Sequence, residues 1–165
     1  MNVLGRIVAV AAIAFALPIH AADRAASPPA SVGGTLALAY VVPGVFDNGG
    51  TFNAGVATSI HCTNTSTTSE NIQIVVRTFD GTIVGNTTFA VASASTTTSS
   101  THQTALFAED VTLSPGTTIN QGQAFIFTTS QFVFCSAMIV DAAASIPNGI
   151  ALHMVRFGPL PGTQE

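Results

Sequence analysis

The chain has 165 residues, of which 47% are hydrophobic and only 7% are charged, and its formal net charge is −4. It contains no lysine, which excludes Schiff-base catalysis and a P-loop and disfavours polybasic patches for nucleic acid or membranes. The length predicts one domain that can bury a core.

The N-terminal segment predicts a secretory signal peptide at residues 1–21. Arg6 supplies a positive charge, and residues 7–17 form an uninterrupted apolar run, as in the hydrophobic region of a signal peptide. This run is too short to span a bilayer. We therefore expect a mature chain that begins at Ala22 or Asp23, is secreted or periplasmic and has no membrane span.

The composition changes at both ends of the expected domain. Residues 22–34 are rich in Ala, Ser, Pro and Gly, which is typical of a flexible linker. Residues 158–165 contain two prolines and two glycines and predict a loose C-terminal tail. The folded domain is therefore expected over residues 35–157.

Short β-rich runs separated by turn signals fill this domain, and no helical period occurs. Alternation is clear near residue 74, where Ile72, Ile74 and Val76 share one face and Gln73 and Val75 the other. Seven to nine short strands without helices predict an all-β, antiparallel sandwich. The strands are expected at residues 35–42, 56–64, 71–79, 82–84, 87–92, 101–107, 123–129, 132–141 and 150–157.

Turn signals separate these runs. Pro43-Gly44, Asp47–Gly50, residues 114–117 and residues 146–149 combine Pro, Gly, Asn, Asp or Ser and predict turns. Asp80-Gly81 predicts a tight hairpin turn, because glycine accepts the positive φ that such turns require. The hydroxyl-rich run at residues 93–101 is expected between strands, and the abundant threonines are attributed to solvent-facing strand positions.

The chain has two cysteines, Cys62 and Cys135. An even number in an exported chain predicts a disulfide, and two buried free thiols are the alternative. Cys62 shares the apolar face of its run with Val56 and Ile60. We expect the bond to join two facing sheets across the core, and neighbouring strands of one sheet are the second arrangement that the bond length allows.

Three segments carry a resemblance to a known architecture. They are SIHCTNTS at residues 59–66, NIQIVVRTFDG at residues 71–81 and FVFCSAMIVD at residues 132–141. In their order and cysteine placement they resemble the immunoglobulin-like sandwiches of secreted bacterial proteins. The resemblance covers residues 35–157 and implies an immunoglobulin-like sandwich but no activity.

Four side chains form a candidate metal site. His61, Met138, His153 and Met154 are of the types that bind copper in exported proteins,. Their spacing lacks the Cys, His and Met cluster of a blue-copper loop. The alternative is that the methionines fill gaps in the core.

The acidic residues give weaker indications. Glu109-Asp110 is the one adjacent acidic pair and predicts a solvated loop, half of a calcium site or an acid–base pair. Asp141 ends an apolar run and is expected to be buried against Arg77 or Arg156.

Two acceptor sequences for N-glycosylation begin at Asn64 and Asn86. They mark positions that we expect to be exposed.

These observations favour a non-enzymatic, exported binding or structural module of the cell envelope or extracellular space. It is expected to need no cofactor and to bind an unidentified protein or glycan, and the acidic balance disfavours nucleic acid. The alternative is a periplasmic copper-binding protein that uses His and Met ligands, and a hydrolase is a third hypothesis.

Overall fold

The computed structural model describes residues 34–49, 52–113, 118–146 and 148–157. The predicted signal peptide, the C-terminal tail, the turn at residues 114–117 and all of the linker except Gly34 lie outside these ranges. The described residues form ten strands and no helix. The strands are β1 (Ala37–Asn48), β2 (Val56–Asn64), β3 (Glu70–Arg77), β4 (Ile83–Val91), β5 (Ser95–Ser100), β6 (Val111–Thr112), β7 (Thr118–Thr128), β8 (Val133–Asp141), β9 (Gly149–Ala151) and β10 (Val155–Arg156).

The strands form two five-stranded sheets that pack face to face. The first sheet has the order β10-β1-β7-β3-β4, and the second has the order β6-β5-β2-β8-β9. Every pair is antiparallel except β5 with β6, which is parallel. The predicted all-β sandwich is confirmed, with three strands of only two or three residues added to the longer ones.

The core lies between the sheets and follows the alternation of the long strands. Residues that share the inward face are fully buried, as expected for strands with one face on a core. They include Val42, Ile60, Ile72, Ile74, Val76 and Ile126. Between the edges of the two sheets, the core is covered by other parts of the chain. On one side Leu113 packs into the core.

The opposite side is closed by the C-terminal strands. Leu152 N donates to Ala137 O in the second sheet, and Phe157 N donates to Ala39 O in the first sheet. The predicted strand at residues 150–157 is therefore divided into β9 and β10, which belong to different sheets.

Further strand and turn predictions were wrong. The strands expected at residues 82–84 and 87–92 form one continuous strand, β4. Pro43-Gly44 does not end β1: the register shifts between Pro43 and Val45, and Gly44 has a φ of +83°, so a bulge takes up the irregularity and the strand continues. Residues 101–107 form a loop, and the strand lies instead at Ser95–Ser100, within the hydroxyl-rich run.

The disulfide joins Cys62 and Cys135, but it does not connect the two sheets. The cysteines lie directly opposite each other on β2 and β8, which are neighbours in the second sheet, and their Cα atoms are 4.1 Å apart. Cys62 nevertheless faces the core, as predicted. The expectation of a bond across the sandwich was wrong, because β2 and β8 pair along nine residues.

Asn64 is buried, contrary to the expectation from its acceptor sequence. Its side chain is 0% exposed. The Nδ2 amide donates to the carbonyls of Thr68, Val91 and Ala92 at 2.7, 3.0 and 3.2 Å. Since Val91 ends β4 in the other sheet, Asn64 links the two sheets at this end of the sandwich. Asn86, in contrast, is exposed.

A buried polar pair lies at the opposite end of the sandwich, where β1 ends. Asp47 Oδ2 lies 2.9 Å from His102 Nδ1, and both side chains are almost fully buried. His102 Nε2 lies 2.9 Å from the carbonyl oxygen of Ala54, and Gly49 N donates to Asp47 Oδ1. The pair thus holds the end of β1, the segment before β2 and the loop after β5 together.

Candidate functional site

A cleft of about 430 Å³ lies at one end of the sandwich. It forms where β1 begins, β7 ends and β10 completes the first sheet. Its apolar wall comes from Leu38, Ala39, Val133 and Phe157. Its polar wall comes from the turn after β7 and from the side chain of Arg156. The volume is within the range of small-molecule sites, which is roughly 300 to 1,000 Å³.

Arg156 is held by aromatic rings. Its guanidinium carbon lies 4.6 Å from the centre of the Phe134 ring and 5.5 Å from the centre of the Tyr40 ring. One Nη2–H group donates to Gln131 O at 2.6 Å. None of the described acidic side chains forms an ion pair with Arg156. The guanidinium is thus positioned by cation–π contacts and keeps further N–H donors for a ligand.

A shallower depression of about 380 Å³ adjoins this cleft and shares Ser130 with it. It is lined by the loop between β2 and β3, Thr65–Thr68, and by Phe132. The buried carboxylate of Glu70 accepts hydrogen bonds from the hydroxyls of Ser66, Thr68 and Thr129. Glu70 therefore orders the hydroxyl-rich loop around its side-chain oxygens.

The two depressions are joined by hydrogen bonds between the turns. Thr65 donates to Phe132 O through its backbone N–H and through its hydroxyl, both at 2.9 Å. Three phenylalanine rings are about half exposed around this end: Phe132 at 51%, Phe134 at 44% and Phe157 at 48%. An exposed group of rings beside polar side chains is the arrangement that marks binding surfaces.

A second polar cluster lies on the outer face of the second sheet. His61 Nε2 is 3.3 Å from Ser59 Oγ, and His61 Nδ1 is 3.1 Å from Thr98 Oγ1. The ring of Phe107 meets the His61 ring edge-on, with centroids 4.5 Å apart. Ser59 is fully buried, so this serine–histidine contact is not accessible to a substrate in the described structure.

The loop after β5 forms the cover of this cluster. Its residues Leu106 and Phe107 pack on Ala57, Met138 and Val140, on the face of the sheet away from the main core. Leu106 and Phe107, at the end of the run predicted as a strand, therefore hold a loop against the sheet.

Glu109 and Asp110 serve this loop. Glu109 Oε1 accepts from the backbone N–H and the hydroxyl of Thr104, and Asp110 Oδ2 accepts from Thr98 N at 2.8 Å. Among the described residues no hydrogen-bond partner exists for the buried Glu109 Oε2. The acidic pair is thus a loop-fixing element.

We expect the stability of the fold to decrease below neutral pH through His61. Burial under the loop lowers the pKa of His61 from its ordinary value of 6.5, and the charge of Glu109 opposes this in part. The folded chain disfavours the protonated His61 ring. The contribution of His61 to the free energy of unfolding is therefore fully present above pH 6.5 and is lost as the pH falls toward the lowered pKa.

The measurement is the free energy of unfolding in urea at about pH 7.5 and about pH 5.5. His61→Gln should reduce the difference between the two values, whereas His153→Gln, at an exposed position, should leave it unchanged. An equal difference in wild type and His61→Gln would contradict the prediction.

The four residues of the copper hypothesis lie in different parts of the fold. His61 and Met138 are on the outer face of the second sheet, where Met138 packs against the small apolar cluster there. Met154 packs against the main core between the sheets, and His153 is exposed. The second sheet therefore lies between Met138 and Met154.

The Asp80-Gly81 sequence forms the turn between β3 and β4. Gly81 has a φ of +87°, as predicted, and Gly81 N donates to Thr78 O at 3.0 Å. Asp80 Oδ1 accepts from Thr78 Oγ1 and Thr82 N, which lowers the pKa of this exposed carboxyl. Asp80 is a turn-forming residue.

Asp141 is exposed and accepts from Ala143 N at 2.9 Å. The expectation that it is buried against Arg77 or Arg156 was wrong. The sequence predicts Arg156 only as a partner for Asp141 and predicts no role for Glu70. The nearest sequence signal was the scarcity of cations, which makes each remaining arginine notable.

Comparisons with family models, curated proteins and solved structures found no match. Within the described residues, no helix has the length and apolarity needed to cross a membrane.

Proposed function

We propose that the protein is an exported, non-enzymatic binding module whose end cleft takes an acidic glycan. Export is supported by the leader-like sequence at residues 1–21 and by the disulfide between Cys62 and Cys135, since disulfides persist in oxidising compartments.

The observation that carries this proposal is Arg156. In a chain with a net charge of −4, this cation lines the cleft without an acidic partner among the described residues. Arginine binds carboxylates through paired N–H donors. A ligand with a carboxylate therefore suits the cleft better than a neutral or cationic one.

The surroundings of Arg156 favour a sugar as the carrier of this carboxylate. Thr35, Ser130 and Gln131 line the same cleft, and the loop Thr65–Thr68 adds hydroxyl groups in the adjoining depression. Such groups exchange hydrogen bonds with sugar hydroxyls. The exposed ring of Phe157 supplies an apolar surface for a sugar ring,.

We expect a short oligogalacturonide to bind the purified protein, as measured by titration calorimetry. Arg156→Gln should weaken binding at least about tenfold, because a hydrogen bond to a charged group contributes roughly 1.5 to 3 kcal/mol. The affinity of the wild type should also decrease with added salt.

The matched control is Arg77→Gln. Arg77 is the other arginine of the described residues and lies at the far end of β3, where its Nη1 donates to Gly81 O and its guanidinium faces Phe125. This variant should bind like the wild type. A neutral oligosaccharide tests the role of the carboxylate, and a peptide with a free C-terminal carboxylate tests a protein ligand.

Three results would overturn the proposal. The first is oligogalacturonide binding that Arg156→Gln leaves unchanged. The second is the absence of binding to the acidic sugar, and the third is clearly tighter binding of the carboxylate peptide.

A further inference from the structure

Among the described residues, β4 is the longest edge strand of either sheet. This strand covers Ile83–Val91 and pairs with β3 on one side, and none of the described strands pairs with its other side. The other three edges, β6, β9 and β10, are only two or three residues long. Short edges limit pairing with other chains, whereas a long one offers a row of unpaired backbone groups.

The pattern of hydrogen bonds in β3 identifies those groups. Thr129 N donates to Asn71 O, so the backbone of Asn71 faces β7. The backbone N–H and C=O groups of successive residues point to opposite sides of a strand. Those of Ile72 and Ile74 therefore face β4 and form hydrogen bonds with Phe89 and Thr87, their register partners. The N–H and C=O groups of Asn86, Thr88 and Ala90 then point away from β3, to the side of β4 where no described strand pairs.

The strand carries none of the side chains that protect exposed edges. It has no charged residue and no proline, which are the usual safeguards. The register shift at its start ends at Gly85, and from Gly85 to Val91 the pairing is regular. The outward side chains of Asn86, Thr88 and Ala90 are small, uncharged and exposed.

We propose that β4 is the site at which a second copy of this chain pairs edge to edge. A two-fold axis places the same segment antiparallel to itself, so two copies of β4 would extend the first sheet to ten strands. Pairing at this uncharged strand brings no acidic side chains of β4 together, although the chain as a whole is acidic. The antiparallel arrangement also places the Asp80 turns of the two copies at opposite ends.

This interface is independent of the glycan proposal. The cleft lies beside β1 and β10, at the opposite edge of the first sheet. Both cleft openings would remain accessible in the dimer.

Sedimentation velocity of the full-length secreted protein over a concentration series tests the pairing. The wild type should show a reversible monomer–dimer equilibrium. Thr88→Pro should weaken dimerisation at least about tenfold, because it removes an outward N–H group, and proline is accepted at an edge strand when its N–H side faces solvent. Thr88→Lys should weaken it similarly through repulsion across the axis.

Two controls separate pairing from misfolding and from net charge. Ser136→Lys adds the same charge at an exposed position of β8, in the interior of the other sheet, and should dimerise like the wild type. Each variant should keep the wild-type far-UV circular dichroism and melting temperature.

The amides of Asn86, Thr88 and Ala90 should exchange more slowly with deuterium at high protein concentration.

A wild type that stays monomeric at all concentrations would overturn the proposal. A dimer that persists in Thr88→Pro, or that Ser136→Lys disrupts to the same extent as Thr88→Lys, would overturn it as well.

Discussion

His102→Ala should destabilise the fold by about 3 kcal/mol, which is the lower end of the cost of breaking a buried pair. The variant leaves the buried Asp47 Oδ2 without its 2.9 Å partner and removes the contact to Ala54 O. Uncompensated polar groups cost most where water cannot reach them. Asp47→Ala should have an effect of similar size, because it also removes the acceptor for Gly49 N.

Urea unfolding of the two single variants and of the double variant measures the coupling between the side chains. The loss of free energy of unfolding in the double variant should be clearly smaller than the sum of the two single losses. Each single change leaves the other side chain without its hydrogen-bond partner. His153→Gln is the control for an exposed histidine and should change the free energy of unfolding by less than about 0.5 kcal/mol. Additive effects would show that Asp47 and His102 act separately.

Reduction of the disulfide is expected to destabilise the fold by roughly 4 kcal/mol in the chain-entropy model, for a closed loop of 73 residues,. The bond restricts the number of conformations that the unfolded chain can adopt. Its loss therefore lowers the midpoint of denaturation. The folded state should keep its strand pairing, because the nine-residue ladder between β2 and β8 remains without the bond.

Guanidinium unfolding with and without reductant measures this loss, and Cys62→Ala with Cys135→Ala should show a similar one. In that double variant the reductant should have no effect, which controls for reductant acting elsewhere. Reduced wild-type protein that unfolds at the same midpoint as oxidised protein would contradict the prediction.

The strand pattern of the core could be predicted from the sequence because alternation is a local property. Ile72, Ile74 and Val76 face the core as expected, and β2 has the predicted bounds. The loop at residues 101–107 could not be predicted this way, since Leu106 and Phe107 are apolar for a different reason. They cover the outer face of a sheet that only the folded chain presents.

The candidate cleft was also beyond sequence reasoning. Arg156 lies in β10, whereas Phe134 and Gln131 come from β8 and the turn before it. These residues are brought together only because residues 149–157 pass from one sheet to the other. The role of Asn64 depends in the same way on carbonyls more than twenty residues away.

The sequence by itself determined the all-β class, the disulfide partners and the turn at Asp80-Gly81. These depend on side-chain alternation, on the cysteine count and on the φ that glycine accepts. Only the tertiary structure decided which strands are neighbours, and hence that the Cys62–Cys135 bond lies within one sheet, that β4 is the last described strand of the first sheet and that Arg156 lines a cleft. The physical reason is that strand order depends on non-local pairing between distant segments, whose backbone hydrogen bonds are the same for every sequence.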